Sequence, residues 1–135
     1  MSESETKLRI LVVEDSLLTA DQIWESLQRL SVPTEITMVR SEHDALSAAR
    51  EFRPHVVLLD LKLSEGTGFA VLKQLSSMEL APKPVVVVMT NYALPNYRNY
   101  ALLIGAKYFL DKARDLELLP TLVQSIANQL RGPTG

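Results

Sequence analysis

Cysteine does not occur in the 135 residues of this chain. Its absence excludes a disulfide framework and any thiolate metal site. Neither is needed for stability, because a chain of this length can bury roughly two-thirds of its unfolded surface in one core. From this length we expect a single domain. A protein without disulfides suits a reducing compartment, so we expect it in the cytoplasm.

An excess of one charge is also missing. The chain has 14 Lys and Arg against 16 Asp and Glu, a formal net charge of -2. Without a basic field it lacks the attraction that general nucleic-acid binding requires, so we expect no direct DNA or RNA contact. Apolar runs such as residues 84–89 fall far short of the roughly 20 residues that span a bilayer. We therefore expect no membrane segment. The polar first residues show no targeting signal.

Short apolar runs alternate with longer segments that have helical periodicity, over residues 8–131. The runs are rich in β-branched residues, as strands are, and we predict flexible ends over residues 1–7 and 132–135. The predicted strands cover residues 8–13, 35–39, 55–59, 85–89 and 107–110. The predicted helices cover residues 16–30, 41–52, a segment after residue 68 with Leu72, Leu75 and Met78, residues 95–104, and a last helix beginning between residues 115 and 120.

Five strands alternating with five helices predict a doubly wound α/β fold. In this fold right-handed crossovers place helices on both faces of a parallel sheet. Asp15 or Ser16 can cap the first helix and Ser41 the second, while Pro95 suits the first position of the fourth and Gly105 its C-terminal end. Ligands of such folds bind beyond the carboxyl ends of the strands.

Five polar residues follow these predicted strands and should meet at one edge of the sheet: Glu14, Asp15, Asp60, Thr90 and Lys112. Clustered carboxylates repel one another unless a cation lies among them. Oxygen donors without cysteine or a nearby histidine favour magnesium. With the metal bound, an aspartate can attack a phosphoryl group while an ammonium and a hydroxyl stabilise the transferring charge. The pattern therefore indicates phosphoryl transfer to a carboxylate.

The motifs at these strand ends resemble, in order, those of the response regulator receiver family of two-component systems. They are VVEDS (residues 12–16), LLDL (58–61), GTG (66–68), MT (89–90) and GAKYFLDK (105–112). The resemblance covers nearly the whole chain and is of the stand-alone type, with a receiver domain over residues 8–131. It implies a flavodoxin-like sheet of strand order 2-1-3-4-5.

The resemblance also implies a role for each matching residue. Asp60 would be the phosphoacceptor, while Asp15 would bind Mg²⁺ or Mn²⁺ directly and Glu14 directly or through water. The backbone carbonyl of Lys62 is a further metal ligand by the same resemblance. Thr90 and Lys112 would contact the phosphoryl oxygens. The protein would be a signalling domain that catalyses only its own phosphorylation and dephosphorylation.

A phosphorylated receiver is expected to signal through protein contacts. By resemblance, Phe109 would move inward as Thr90 is drawn toward the phosphoryl group. This movement would change the face formed by helix four, strand five and helix five. The implied partners are a histidine kinase or histidine phosphotransfer protein, a downstream protein, and a second copy of the chain bound through the same face.

The chain departs from the family pattern at several positions. Ala113 replaces the usual proline after Lys112, whose peptide is often cis. Since a cis bond without proline costs roughly 2.5–4 kcal/mol, we expect a trans bond, which leaves the reach of Lys112 open. Asn91, Lys62 and Tyr92 occupy positions expected to alter phosphoryl lifetime, in a direction that the sequence leaves open. Ser64 replaces a frequent proline and should make its loop less stiff.

Three alternatives stay open. A degenerate receiver would bind partners without phosphorylation, as Ala113 and Asn91 would favour. A haloacid dehalogenase-type phosphohydrolase needs a second aspartate two residues after the first, where this chain has Lys62. A flavin-binding protein needs hydroxyl and glycine donors in its first loop, where Glu14 and Asp15 would repel the phosphate.

Other chemically distinctive residues favour ordinary roles. His43 is expected to be exposed on helix two, and His55 to begin a strand without a catalytic role. Trp24 is expected to be partly buried in packing. The tyrosines at positions 92, 97 and 100 favour packing, although they lie near the proposed output face.

Overall fold

The computed structural model describes residues 6–131, and the strands and helices alternate along this part of the chain. The strands are β1 (Leu8–Val13), β2 (Thr34–Val39), β3 (Val56–Leu59), β4 (Val85–Thr90) and β5 (Tyr108–Asp111). The helices are α1 (Leu17–Leu27), α2 (Glu42–Phe52), α3 (Gly68–Ser77), α4 (Pro95–Leu103), α5 (Lys112–Asp115) and α6 (Leu119–Arg131), with a 3₁₀ turn at Leu116–Leu118. Residues 1–5 and 132–135, where flexible ends are predicted, lie outside the described residues.

The five strands form one parallel sheet in the order β2-β1-β3-β4-β5, which confirms the predicted fold class and strand order. Val13 at the end of β1 is in register with Val39 of β2 and Leu59 of β3. Thr90 of β4 is likewise in register with Asp111 of β5. The residues that follow these strands therefore emerge along one edge, and the strand order reverses between β1 and β3, where such folds bind ligands.

Two apolar layers sandwich the sheet because successive strand residues point to opposite faces. In β1, Leu11 and Val13 pack toward α2, α3 and α4, whereas Ile10 and Val12 pack toward α1 and α6. Four of the six residues of β4 are buried apolar residues that alternate between the two layers: Val86, Val87, Val88 and Met89. That unbroken apolar run fits its position between β3 and β5, where both faces of the strand are covered.

The predicted helix caps are present. Ser16 Oγ accepts a hydrogen bond from Thr19 N–H at 3.2 Å, and Ser41 Oγ accepts one from Asp44 N–H at 3.1 Å. Pro95 begins α4, and Gly105 follows it with φ of +133°, which suits glycine. The prediction that the first helix extends to residue 30 is wrong, since α1 ends at Leu27.

The last elements of the described chain differ from the sequence prediction in two respects. The last helix begins at Leu119, within the predicted interval, but α5 and the 3₁₀ turn precede it. The prediction that the fifth strand ends at residue 110 is wrong by one residue, and Lys112 begins α5 directly after β5. None of the helices within residues 6–131 has the length and apolar character needed to cross a membrane.

Candidate functional site

Asp60 lies at the reversal point of the sheet, immediately after β3. Its N–H donates to Val13 O at 3.0 Å, which ties it to the end of β1, and the residue is only 7% exposed. Asp60 Oδ1 accepts a hydrogen bond from Lys62 N–H at 3.3 Å, and Oδ2 accepts one from Lys112 Nζ at 2.9 Å. Both carboxylate oxygens are therefore oriented by the protein.

Lys112 bridges two carboxylates with its side-chain ammonium. Nζ lies 2.6 Å from Glu14 Oε1 and 2.9 Å from Asp60 Oδ2, and the lysine is 8% exposed. The Lys112–Ala113 peptide is trans, as the absence of proline predicts. The lysine reaches Asp60 in this conformation because it begins α5, whose first turn is capped by Asp111 Oδ1 accepting from Ala113 N–H at 2.9 Å.

Glu14 is the most buried carboxylate of the group, with 4% exposure. Its Oε2 accepts a hydrogen bond from Ser16 N–H at 3.0 Å, while Oε1 faces Lys112. Burial raises the pKa of the Glu14 carboxyl above its usual range, and the hydrogen bonds from Lys112 and Ser16 oppose this rise. The ionised form of Glu14 therefore depends on a nearby cation.

Asp15 is oriented differently from the other two carboxylates. It is partly exposed, and its Oδ1 lies 3.8 Å from Arg40 Nη2, at the end of β2. Within residues 6–131, no three Asp, Glu, His or Cys side chains are close enough together to enclose a metal ion as they are placed. The donor chemistry still fits a hard divalent cation, because three carboxylates line the same cavity and outnumber the two lysines, Lys62 and Lys112.

This cavity has a volume of about 250 Å³ and lies over the carboxyl ends of β1, β3 and β4. Its lining residues are Glu14, Asp15, Ser16, Thr19, Asp60, Lys62, Asn91, Tyr92 and Lys112. Three of these residues are exposed and lie at the rim of the cavity: Lys62, Asn91 and Tyr92. All three residues thus line the cavity where it meets solvent.

Thr90 and Phe109 lie deeper in the fold. Thr90 is fully buried, and its Oγ1 accepts a hydrogen bond from Tyr92 N–H at 3.0 Å. Phe109 is half-buried and packs against the apolar layer on the side of α2, α3 and α4. Val88 of β4 pairs with Phe109, and Thr90 pairs with Asp111. Thr90 and Phe109 are therefore diagonal neighbours on adjacent strands.

The loop after Asp60 turns back sharply to begin α3. Gly68 N–H donates to Leu61 O at 2.9 Å, and Lys62 forms an antiparallel bridge with Thr67. A Cβ on Gly68 would collide with the backbone oxygen of Asp60, so only glycine fits this position. The turn therefore fixes the backbone on both sides of Lys62.

The remaining distinctive residues mostly have the expected places. His43 is exposed, and His55 lies just before β3, where its Nδ1 accepts from Arg9 N–H at 2.9 Å. Tyr97 and Tyr100 pack against Phe69, with ring centroids 5.6 and 5.3 Å apart. Trp24 is 46% exposed, so the predicted packing role is wrong. The residues of α1 that face the core are Ala20, Ile23 and Leu27.

Two residues near the strand ends, Arg40 and Asp111, were not among those predicted from the sequence. Arg40 follows β2 at the same edge of the sheet as Asp15, so the rule that selected the other strand-end residues could also have selected it. Asp111 is the N-cap of α5, and its side chain accepts from Ala113 N–H. It was missed because the next helix was predicted to begin only between residues 115 and 120. Neither residue lines the cavity.

The model of the response regulator receiver domain matches residues 10–124. This chain belongs to the response regulator receiver domain family, the signalling domains of two-component systems. Membership decides against the phosphohydrolase and flavin-binding alternatives.

Two curated relatives match most of this chain but less than half of their own length. The chain is 29% identical over 122 residues to the sensory transduction protein LytT of Bacillus cereus, which covers 90% of this chain and 48% of LytT. It is 33% identical over 109 residues to the protein-glutamate methylesterase/protein-glutamine glutaminase of Caldanaerobacter subterraneus subsp. tengcongensis, covering 78% of this chain and 29% of that protein. The chain thus spans less than half the length of these relatives.

Solved structures share the fold. The signal receiver domain of a DNA-binding response regulator (merR) from Colwellia psychrerythraea 34H superposes with a TM-score of 0.83 at 24% identity, over 91% of this chain and 100% of that one. The Mn(2+)-bound form of response regulator Rcp1 gives a TM-score of 0.74 at 25% identity, over 94% of this chain and 96% of that one.

Proposed function

We propose that this chain is a phosphorylation-dependent switch in which Asp60 accepts a phosphoryl group from a histidine kinase or a histidine phosphotransfer protein. One observation carries the proposal: Lys112 Nζ lies 2.9 Å from Asp60 Oδ2, and both residues line an acidic surface cavity of about 250 Å³. A carboxylate held beside a fixed ammonium is suited to attack phosphorus, because the ammonium can balance charge on the transferring group.

In the proposed reaction a carboxylate oxygen of Asp60 attacks the phosphorus of a phosphohistidine. A P–O bond forms as the P–N bond breaks, and the departing imidazole nitrogen takes a proton from solvent. Lys112 neutralises charge beside the new acyl phosphate. Thr90 Oγ1 accepts from Tyr92 N–H, which leaves its own hydroxyl proton available for a phosphoryl oxygen.

Magnesium or manganese would be held by the carboxylates of Asp15 and Asp60, with Glu14 bound directly or through water and the Lys62 carbonyl as a further oxygen donor. The bound metal supplies positive charge to the phosphoryl oxygens and offsets repulsion among the carboxylates. The similarity to the Mn(2+)-bound form of Rcp1 supports this assignment. Asp15, at the partly exposed side of the cavity, is accessible to an entering cation.

The output of the switch is proposed to be a change in the face formed by α4, β5 and α6, which contains the predicted fifth helix. Thr90 is buried at the end of β4 and Phe109 is half-buried in β5 beside it. When the Thr90 hydroxyl turns to the phosphoryl group, Phe109 can fill the space that it leaves. A downstream protein, or a second copy of the chain, would recognise the altered face.

Lys62, Asn91 and Tyr92 are proposed to set the lifetime of the aspartyl phosphate. All three line the cavity and are exposed, so their side chains stand where an attacking water must pass. Their size and charge would therefore alter hydrolysis without altering the attachment of the phosphoryl group.

Intact mass spectrometry tests the proposed function. The parent and Asp60→Ala are incubated with acetyl phosphate, with and without Mg²⁺. We expect the parent alone to gain one phosphoryl group, and only when the metal is present. A parent that gains no mass under any condition would instead identify a degenerate receiver that binds partners without phosphorylation.

A further inference from the structure

The loop over residues 61–67, which connects Asp60 to α3, is fastened to the junction between β2 and α2. Ser64 Oγ donates to Arg40 O at 3.0 Å, and Glu42 N–H donates to Glu65 O at 3.0 Å. Ser41 and Glu65 also form a parallel bridge. The loop therefore has contacts with a second element in addition to its own turn.

Glu42, the first residue of α2, extends this attachment with its side chain. Oε1 accepts a hydrogen bond from Thr67 N–H and Oε2 accepts one from Gln74 Nε2, each at 3.3 Å. The carboxylate also packs against Gly66, whose φ is +80° and where a Cβ would collide with Glu42. Glycine at position 66 thus makes room for the carboxylate as well as for the turn.

The contact with Thr67 completes a helix cap across two helices. Thr67 is the N-cap of α3, and its Oγ1 accepts from Ala70 N–H at 3.1 Å. In a capping box, Glu or Gln at the position of Ala70 would accept a hydrogen bond from the N–H of the N-cap residue. Alanine cannot do so, and Glu42 supplies that acceptor from α2 instead.

This cap is coupled to the phosphoacceptor through the backbone of the loop. Thr67 forms the antiparallel bridge with Lys62, whose N–H donates to Asp60 Oδ1 at 3.3 Å. On the other side of Thr67, Gly68 N–H donates to Leu61 O at 2.9 Å. A shift of Thr67 therefore displaces Lys62, and with it the carbonyl that we propose as a metal ligand.

We propose that Glu42 is a positioning residue for phosphoryl transfer, which holds the loop over residues 61–67 in the geometry that Mg²⁺ binding requires. The inference rests on the proposed function of Asp60. Glu42 does not line the cavity around Asp60, so its effect must travel through Thr67 and Lys62.

Three variants separate this role from a general effect on α2. Glu42→Ala removes the acceptor, whereas Glu42→Gln keeps an amide oxygen that can accept from Thr67 N–H. Asp44→Ala is the matched control, because Asp44 is the other carboxylate in the first turn of α2 and contacts only His43 with its side chain. Amide hydrogen exchange of the metal-free protein and Mg²⁺ affinity by titration calorimetry are measured for each, together with the Mg²⁺ dependence of acetyl phosphate labelling.

For Glu42→Ala we expect faster exchange confined to the amides of residues 62–67 and a Mg²⁺ dissociation constant raised about threefold to tenfold, as the loss of one or two ordinary hydrogen bonds implies. Glu42→Gln should keep most of the parent's affinity, and Asp44→Ala all of it. Equal behaviour of Glu42→Ala and Asp44→Ala in exchange and affinity would overturn the inference. Failure of the parent to be labelled would reject the proposed function, and the exchange and affinity measurements would still decide the role of Glu42.

Discussion

Lys112 is the only cation in the described part of the chain that contacts both Glu14 and Asp60, and all three residues are less than a tenth exposed. Buried charges are tolerated when they are paired, and removing one partner leaves the others uncompensated. The arrangement makes Lys112 a structural partner of the carboxylates as well as a proposed participant in transfer.

Replacing this cation should destabilise the metal-free protein. We expect Lys112→Met to lower the free energy of unfolding by about 3 kcal/mol, the lower end for a broken buried pair, because the group borders a surface cavity. Mg²⁺ should restore more stability to this variant than to the parent. Urea unfolding with and without Mg²⁺ measures both effects, and the exposed Lys73→Met is the control. A variant as stable as the control would contradict the predicted role.

His55 should make stability depend on pH. Burial, and then the nearby charge of Arg9, lower the pKa of His55 from its ordinary 6.5, and the neutral ring accepts from Arg9 N–H through Nδ1. A lowered pKa means that the unfolded chain binds the proton more readily, so this contribution is present above pH 6.5 and is lost as the pH falls through the folded-state value.

The variant His55→Asn isolates the effect, since its amide oxygen can accept from Arg9 N–H but does not titrate. We expect the free energy of unfolding to fall less steeply between about pH 7 and 5 in this variant than in the parent. Equal slopes in urea unfolding across that range would rule out the contribution of His55.

The residues at the strand ends were the part of the site most accessible from sequence. Glu14, Asp60 and Lys112 meet because parallel strands end at one edge. The orientation of Asp15 toward Arg40 could not be predicted, because the strand order places both residues at one edge of the sheet but does not fix their side-chain rotamers. The contact of Glu42 with Thr67 was equally inaccessible, since it joins two helices that are separated by a strand.

At the scale of elements, α5 places Lys112 and depends on the side chain of Asp111. Asp111 Oδ1 accepts from Ala113 N–H, and Asp111 N–H donates to Asp115 Oδ2 at 3.0 Å, so the two aspartates cap the turn reciprocally. Hydrophobic periodicity does not reveal an element of four residues, so the sequence pattern predicted only one helix after β5. The strands and longer helices were predictable because their apolar patterns extend over several turns or alternations.

Removing this cap should loosen α5. Asp111→Ala should cost about 1 kcal/mol of stability, the usual value for an N-cap, whereas Asp111→Asn should retain most of it. Urea unfolding of the two variants provides the comparison. Equal losses in both variants would show that the side-chain acceptor is not what stabilises the turn.

At the scale of the whole molecule, the sheet separates two apolar layers and brings the acidic cavity next to β4 and β5. Alternation of strands and helices predicts the layers, while the strand order came from the resemblance to receiver domains. The same sheet connects the site to the proposed output face: Thr90 and Phe109 lie on neighbouring strands, one near the cavity and the other in the apolar layer with α4.

Amide-resolved NMR with Mg²⁺ and beryllofluoride, a mimic of the aspartyl phosphate, tests most directly whether Asp60 controls that face. We predict chemical-shift changes at the cavity that continue through Thr90 and Phe109 into α4 and β5, and that are absent from Asp60→Ala. Changes confined to the residues that line the cavity, or changes that persist in Asp60→Ala, would contradict the account of this chain as a phosphorylation switch.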